Sequence, residues 1–305
     1  MGRNRRRIQI KINEAGFSLL ELMVSLALLL IVAGAAFSSL NTYQKSYGST
    51  GIQADLHSSI RSAVELFGQE VGQAGLFPFT PTTMNSAVVA STLPQTVVVG
   101  STNGMFVGEN LLIDSGASQE QVVVTALGSN SITAVFANNH TAGALSGVIV
   151  NAAGVFPQGI LSSSTATSLR LFGDINGDGT LQYVRYNCDT TAGTLTRSMT
   201  PLTSQTLNAP IVVASNLVAT PNVTGCFSYP SATSVQGATF IPNVALTISA
   251  KTSQKDPQTG QYIVLTKSFV NFTPRNVQAG LDMATAGVTA RLQPTPAAVT
   301  VLDAQ

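Results

Sequence analysis

Few residues in this sequence stand in patterns that do chemistry. Asp174-Ile175-Asn176-Gly177-Asp178-Gly179 sets side-chain oxygens at its first, third and fifth positions and glycine at its sixth. In a calcium loop that order lets alternating oxygens converge on the ion while the glycine takes the sharp turn. The twelfth position, where a bidentate glutamate closes such a loop, is Arg185. The stretch therefore reads first as a hairpin turn and second as an incomplete calcium site of Asp174, Asn176 and Asp178, and no other cofactor is expected. His57 and His140 are the only imidazoles, and neither stands in a nucleophile motif. Gly-x-Ser-x-Gly, His-Glu-x-x-His and phosphate-loop patterns are missing, so the sequence reads as that of a non-enzyme. Cys188 and Cys226 are the only cysteines. In an oxidising compartment the pair is expected to form a disulfide worth about 4 kcal/mol by loop-closure entropy, two free buried thiols being the alternative.

One further constellation sits at the head of the chain: Gly16, Phe17 and Glu21, the last being the single charge in an apolar run that continues to Leu40. At about 1.5 Å per residue, Phe17 to Leu40 spans roughly 36 Å as a helix, enough to cross a bilayer. A secretory signal places its small-residue cleavage site after the apolar core; here Gly16 stands before it, followed by Phe17. Near the start of a membrane helix, Glu21 calls for a positive partner in an apolar setting.

Gly16-Phe17-Ser18-Leu19-Leu20-Glu21 resembles the processing site of type IV prepilins and type II secretion pseudopilins. The resemblance implies that a membrane-embedded prepilin peptidase cuts after Gly16 and methylates the new amino terminus at Phe17. It also implies that Glu21 pairs with that amine on a neighbouring subunit. A plain amino-terminal anchor with Glu21 as an interfacial charge is the rival reading.

The basic leader fits this topology. Of 15 basic and 14 acidic side chains, Arg3, Arg5, Arg6, Arg7 and Lys11 lie before Gly16 with Glu14 as the one acid. That distribution holds the amino terminus in the cytoplasm by the positive-inside rule. The processed chain is slightly acidic, which argues against a general nucleic-acid binder. With 305 residues and 44% apolar content, a sizeable core is available. The low charged fraction and the abundance of Thr, Ser, Asn and Gly suit strands and turns on an extracytoplasmic surface.

Helical spacing continues beyond the apolar run through Leu40, Tyr43, Tyr47, Ile52, Leu56, Ile60, Val64, Phe67 and Val71. One apolar face opposes Gln53, Asp55, Ser58, Arg61 and Glu65. Gly48 and Gly51 are the expected place for a kink or melted turn, and the helix should end near Gly72 to Gly75, ahead of Pro78 and Pro81. His57 reads as a solvated helix-face residue. From Gln95 to Val150 short apolar runs alternate with turn signals at the spacing of a small barrel or sandwich, a module inserted before the main sheet. Its Glu109, Asp114, Glu120 and His140 read as solvated loop residues. Strands are then expected at 169–172, 181–186, 195–197, 211–214, 226–229, 244–250 and 262–272.

The segment from Ser59 to Phe67, Tyr183-Val184-Arg185-Tyr186 and Phe272-Thr273-Pro274-Arg275-Asn276 resemble PilW-type minor pilins. The fold expected is α+β: a long amino-terminal helix packed on an antiparallel sheet domain, with an inserted all-β module. The divisions are a cleaved leader 1–16, an apolar helix 17–40, an amphipathic helix 41–77, a linker 78–94, the module 95–155, a pilin-like β domain 156–280 and a flexible tail 281–305. The function implied is that of a minor type IV pilin, held in the inner membrane before assembly with other pilin subunits and then exposed on the pilus. A minor pseudopilin or a pilus-mounted adhesin is the alternative.

Overall fold

The computed structural model describes residues 16, 18–78, 81–141, 148–152 and 154–305. The expected leader, up to residue 15, and Phe17 lie outside the described residues. Helix α1, Leu19–Gln73, is 55 residues long and so about 82 Å from end to end. No proline interrupts it, and its first half is rich in Leu and Ala, both strong helix formers. It stops at Gly75, whose φ is +77° and where an added Cβ would meet the Phe156 carbonyl oxygen at 2.8 Å. Only glycine fits that exit. The expected melted turn at Gly48 and Gly51 is corrected: α1 passes through both without a break. Gly48 instead makes room for Pro257, whose Cγ would stand 3.3 Å from a Cβ at that position.

The body of the protein is two antiparallel sheets against the second half of α1. Their numbering follows seven earlier strands: β1 Thr82–Met84, β2 Gln95–Val98, β3 Asn110–Ile113, β4 Glu120–Val123, β5 Ala126–Gly128, β6 Ser131–Ala134 and β7 Val148–Ala152. Then come β8 Ser168–Gly173, β9 Gln182–Asp189, β10 Thr194–Pro201 and β11 Ile211–Ser215, forming one sheet in the order β11-β10-β9-β8. Next, β12 Phe227–Ser228, β15 Val244–Lys251 and β16 Val264–Phe272 form a second sheet, ordered β12-β15-β16. Between them lies the hairpin β13 Thr233–Val235 and β14 Ala238–Phe240. Leu56, Ile60, Ala63, Val64, Phe67 and Val71 make the buried stripe of α1, at steps of three and four. Phe67 is its centre, with ring centroids 5.3 Å from Tyr186, 5.8 Å from Phe227 and 5.1 Å from Phe272. Fully burying one such side chain is worth about 1.5 to 3 kcal/mol.

Strands β1 to β7 form a separate pair of small sheets, ordered β1-β7-β3-β4 and β2-β6-β5, around their own apolar core of Leu111, Ile113, Ile132, Phe136 and Val150 among others. Here the expected linker 78–94 is corrected. β1 pairs with β7, and Met84 and Val88 are buried in this core, so the module reaches back to Thr82. A three-residue strand carries too little alternation to be seen in sequence, and its hydrogen-bonding partner lies far along the chain.

The expected flexible tail is corrected too. Helix α2 spans Arg275–Thr285, across the boundary drawn at 280; a short turn of 3-10 helix follows at Thr289–Arg291, and helix α3 spans Ala297–Asp303. Val277, Ala284, Val299 and Leu302 are buried. The intervening segment clips module to body: the Gln293 side chain accepts from the Asn110 N–H at 2.9 Å and donates to the Asn110 carbonyl at 2.8 Å. A helix of seven residues has no stability of its own, so its fold follows from docking rather than from local pattern.

Candidate functional site

The first half of α1 stands apart from everything else in the chain. Leu19 is 78% exposed and Phe37 73%, and the large apolar side chains between them are exposed as well. An apolar surface that surrounds a helix belongs in a bilayer or among other helices. Ser18 precedes the first turn in extended conformation and its carbonyl accepts the Leu22 N–H at 3.1 Å. Glu21 lies in that first turn and is exposed, where a carboxylate is favoured by the helix dipole. Gly16 is exposed immediately before it, and Phe17, the expected methylation site, lies outside the described residues.

Residues 11–37 match the family model for the prokaryotic N-terminal methylation motif. The amino terminus carries the methylation motif found in type IV pilin-like proteins. The match frames Gly16, Phe17 and Glu21 together. No curated protein and no solved structure matches the chain. Proteins with this pilin-like start are structural subunits rather than enzymes. They are processed by prepilin peptidase, anchored in a membrane by the apolar helix and assembled with other pilins into a surface filament.

The second half of α1 holds a carboxylate in a contrasting setting. Glu70 is 4% exposed. Its carboxylate accepts from Arg197 on β10, by Nε at 3.0 Å and by Nη2, and from the Tyr186 hydroxyl on β9. Burial first, and then the Glu70 charge, push the Tyr186 phenol far up. The three groups pin the helix to two strands, and a buried charge so bonded is retained only while its partner is present. This triplet had no sequence signal beyond a Glu on the buried stripe of an amphipathic helix, which is itself a hint that a cation waits on the facing sheet.

Cys188 on β9 and Cys226 before β12 are bonded to each other, with Cα atoms 6.2 Å apart. The bond ties the two sheets of the body together. Both backbone N–H groups donate to neighbouring carbonyls, Cys188 to Thr167 and Cys226 to Ala166, each at 2.8 Å, which sets the two cysteines side by side.

The Asp174 turn spends its oxygens on its own backbone. Asp174 accepts the Asp178 and Gly179 N–H groups, both at 3.0 Å, and the Asn176 amide donates to Asp178 at 2.7 Å. Gly177 and Gly179 take positive φ, as a tight turn between strands requires. Among the described residues no group of three or more His, Cys, Asp or Glu stands where it could hold a metal.

Three residues expected in solvated loops of the module are instead drawn inward. His140 is 1% exposed, with Nε2 2.6 Å from Glu120 Oε1 and Nδ1 3.3 Å from Asp114 Oδ2. Glu120 also accepts the Ala137 N–H at 2.7 Å, so the cluster fastens the segment after β6 to the start of β4. Glu109 is fully buried. Burial pushes its carboxyl up to about 8, against the opposing effect of the Phe106 N–H that one oxygen accepts. His140 lies 26 and 20 residues from Asp114 and Glu120, and topology alone brings them together. His57 is exposed on α1, as expected of a helix-face residue.

Proposed function

We propose that this chain is a minor pilin of a type IV pilus, of the PilW type, cleaved after Gly16 and methylated on the Phe17 amine. The observation that carries the reading is the register of Gly16, Phe17 and Glu21 at the start of a helix whose first half is exposed and apolar all round. In the filament core, Glu21 meets the Phe17 amine of a neighbouring subunit. The pairing neutralises a carboxylate in an apolar setting and so fixes the axial register of each added chain. The folded body then faces outward, with the β1 to β7 module as an addition on the surface. That module has its own core, which favours a second role in surface binding, loops on a rigid scaffold being where recognition concentrates.

Amino-terminal mass analysis of protein from sheared pili tests the reading. Methylated Phe17 in that fraction is the expected result. An intact leader there, or the protein's absence from pili and its presence with a secretion complex, overturns the pilus assignment in favour of an anchor or a pseudopilin.

A further inference from the structure

Where α1 leaves its apolar run, the chain gathers tyrosine and lysine. Of six tyrosines, the exposed ones are Tyr43, Tyr47 and Tyr262, at 74%, 85% and 45%. Tyr43 and Tyr47 follow Leu40 within two turns of the helix. Tyr262 lies in the loop of residues 252–263 that joins β15 to β16. That loop is where the body first meets α1, for Pro257 packs at Gly48 and Ser49 is the first buried residue of the helix. Of the four lysines after Gly16, three stand at this end: Lys45 on α1, Lys251 at the end of β15 and Lys255 in the loop.

Lys251 and Lys255 share one aromatic ring. Their Nζ atoms stand 5.1 and 6.0 Å from the centre of Tyr262, within the range of cation–π attraction. Neither lysine is in an ion pair among the described residues. The adjacent acid does not answer them: Asp256 is buried, and its carboxylate accepts the Gln258 and Thr259 N–H groups and the Thr259 hydroxyl. Backbone bonds hold the loop in shape, the Thr252 N–H donating to the Ile263 carbonyl at 2.9 Å and the Asp256 N–H to the Gln261 carbonyl at 2.8 Å. The fold thus brings two cations to one ring and gives them no counter-charge of its own, which favours an anionic oxygen from outside the chain.

The height of this end says where that oxygen comes from. Gly48 follows Leu40 by eight residues, about 12 Å along the helix. The headgroup layer takes up about 5 to 7 Å on each side of the hydrocarbon. The loop is therefore within about 8 Å of the lipid phosphates, one Debye length at physiological salt. Tyrosine suits the same level, because its ring is apolar at one end and wet at the other. We propose that this end of the body seats on an anionic phospholipid surface, Lys251 and Lys255 meeting headgroup phosphates while Tyr43, Tyr47 and Tyr262 lie at the interface. The proposal rests on α1 being anchored in a membrane and not on the pilus assignment. Seated in this way, the body is held in one orientation beside its anchor before assembly.

The chain has no tryptophan, so single substitutions report position by fluorescence. Full-length Tyr262→Trp is placed in nanodiscs of phosphatidylcholine alone or mixed with phosphatidylglycerol, each carrying a quencher on the lipid headgroup. Quenching should be about threefold greater with phosphatidylglycerol, and should fall to the phosphatidylcholine level at high salt or when Lys251→Gln and Lys255→Gln are added. Equal quenching in the two discs shows that the α1 tether alone sets the distance, and overturns the proposal. This lipid comparison needs no lysine substitution, so it decides even where the lysine variants fail to fold. If those variants leave disc quenching unchanged but are lost from sheared filaments, the lysines meet a neighbouring subunit and lipid docking is overturned. Phe37→Trp reports the anchor separately, through lipids brominated in their acyl chains, and should be quenched in both discs. Failure there removes the membrane placement and the proposal with it, whereas failure at position 262 alone leaves the anchor standing.

Discussion

Two of the carboxylates of α1, one in each half, have met different fates. Glu70 is enclosed by its own chain, with Arg197 and Tyr186 supplied by strands more than a hundred residues later. Glu21 has no partner among the described residues, and the apolar side chains around it face outward. One helix thus contains a charge that folding encloses and a charge that folding leaves exposed. The difference lies in what surrounds each: the second half of α1 presents one apolar stripe and fits one sheet surface, whereas the first half is apolar on every side and needs helices or lipid all round.

The largest expected effect separates these roles. Glu21→Ala should leave cleavage after Gly16 unchanged yet abolish entry into filaments, read by comparing membrane and sheared-filament fractions. Normal incorporation would remove the pairing role of Glu21. Glu70→Gln should do the reverse, leaving a buried Arg197 without its counter-charge and costing about 3 to 5 kcal/mol in denaturant unfolding of the chain from residue 41. Arg197→Met combined with Glu70→Gln should cost less than either change alone, because no bare charge remains; additive losses would show that the two residues act separately.

Removing the bond between Cys188 and Cys226 by double substitution to Ser should cost about 4 kcal/mol of body stability. Filament entry should survive wherever the body still folds, since the bond lies far from Glu21. A Cys-to-Ser chain as stable as the parent would show that the bond contributes nothing beyond the sheets it joins.

Glu109 sharpens the comparison as a third carboxylate, buried with neither a cation nor another chain to meet it. Its folded value of about 8 lies above the ordinary 4.5. Between those values the folded state holds a proton that the unfolded state has released, so stability falls as pH rises from about 4.5 to 8 and changes no further above that window. Glu109→Gln should flatten this slope in urea titrations run at several pH values. A slope that persists unchanged would locate it in another group.

Much of the fold was legible because its signals are local. A four-residue apolar rhythm marked the second half of α1, alternation and turn residues marked strands such as Ser168–Gly173 and Val244–Lys251, and Gly75 with Pro78 marked the helix end. What escaped was set by contact. Gly48 looked like a weakness until Pro257 was found against it. Met84 and Val88 looked like linker because the core they join is built from strands elsewhere in the chain. His140 and Glu109 looked solvated because polarity is all the sequence shows, while burial depends on which loops the sheets bring together.

By itself the sequence determined that Gly16 to Leu40 is a continuous apolar segment, long enough as a helix to cross a bilayer and carrying one carboxylate, because length, composition and register of a continuous segment need no fold to be read. Only the tertiary structure decided that Glu70 is answered by Arg197, that the disulfide joins two sheets, and that 281–305 holds the end of α2 and the docked helix α3 rather than a loose end. Those outcomes rest on pairs of residues distant in the chain, whose meeting costs loop-closure entropy and is fixed by the sheet order that all the other contacts select together.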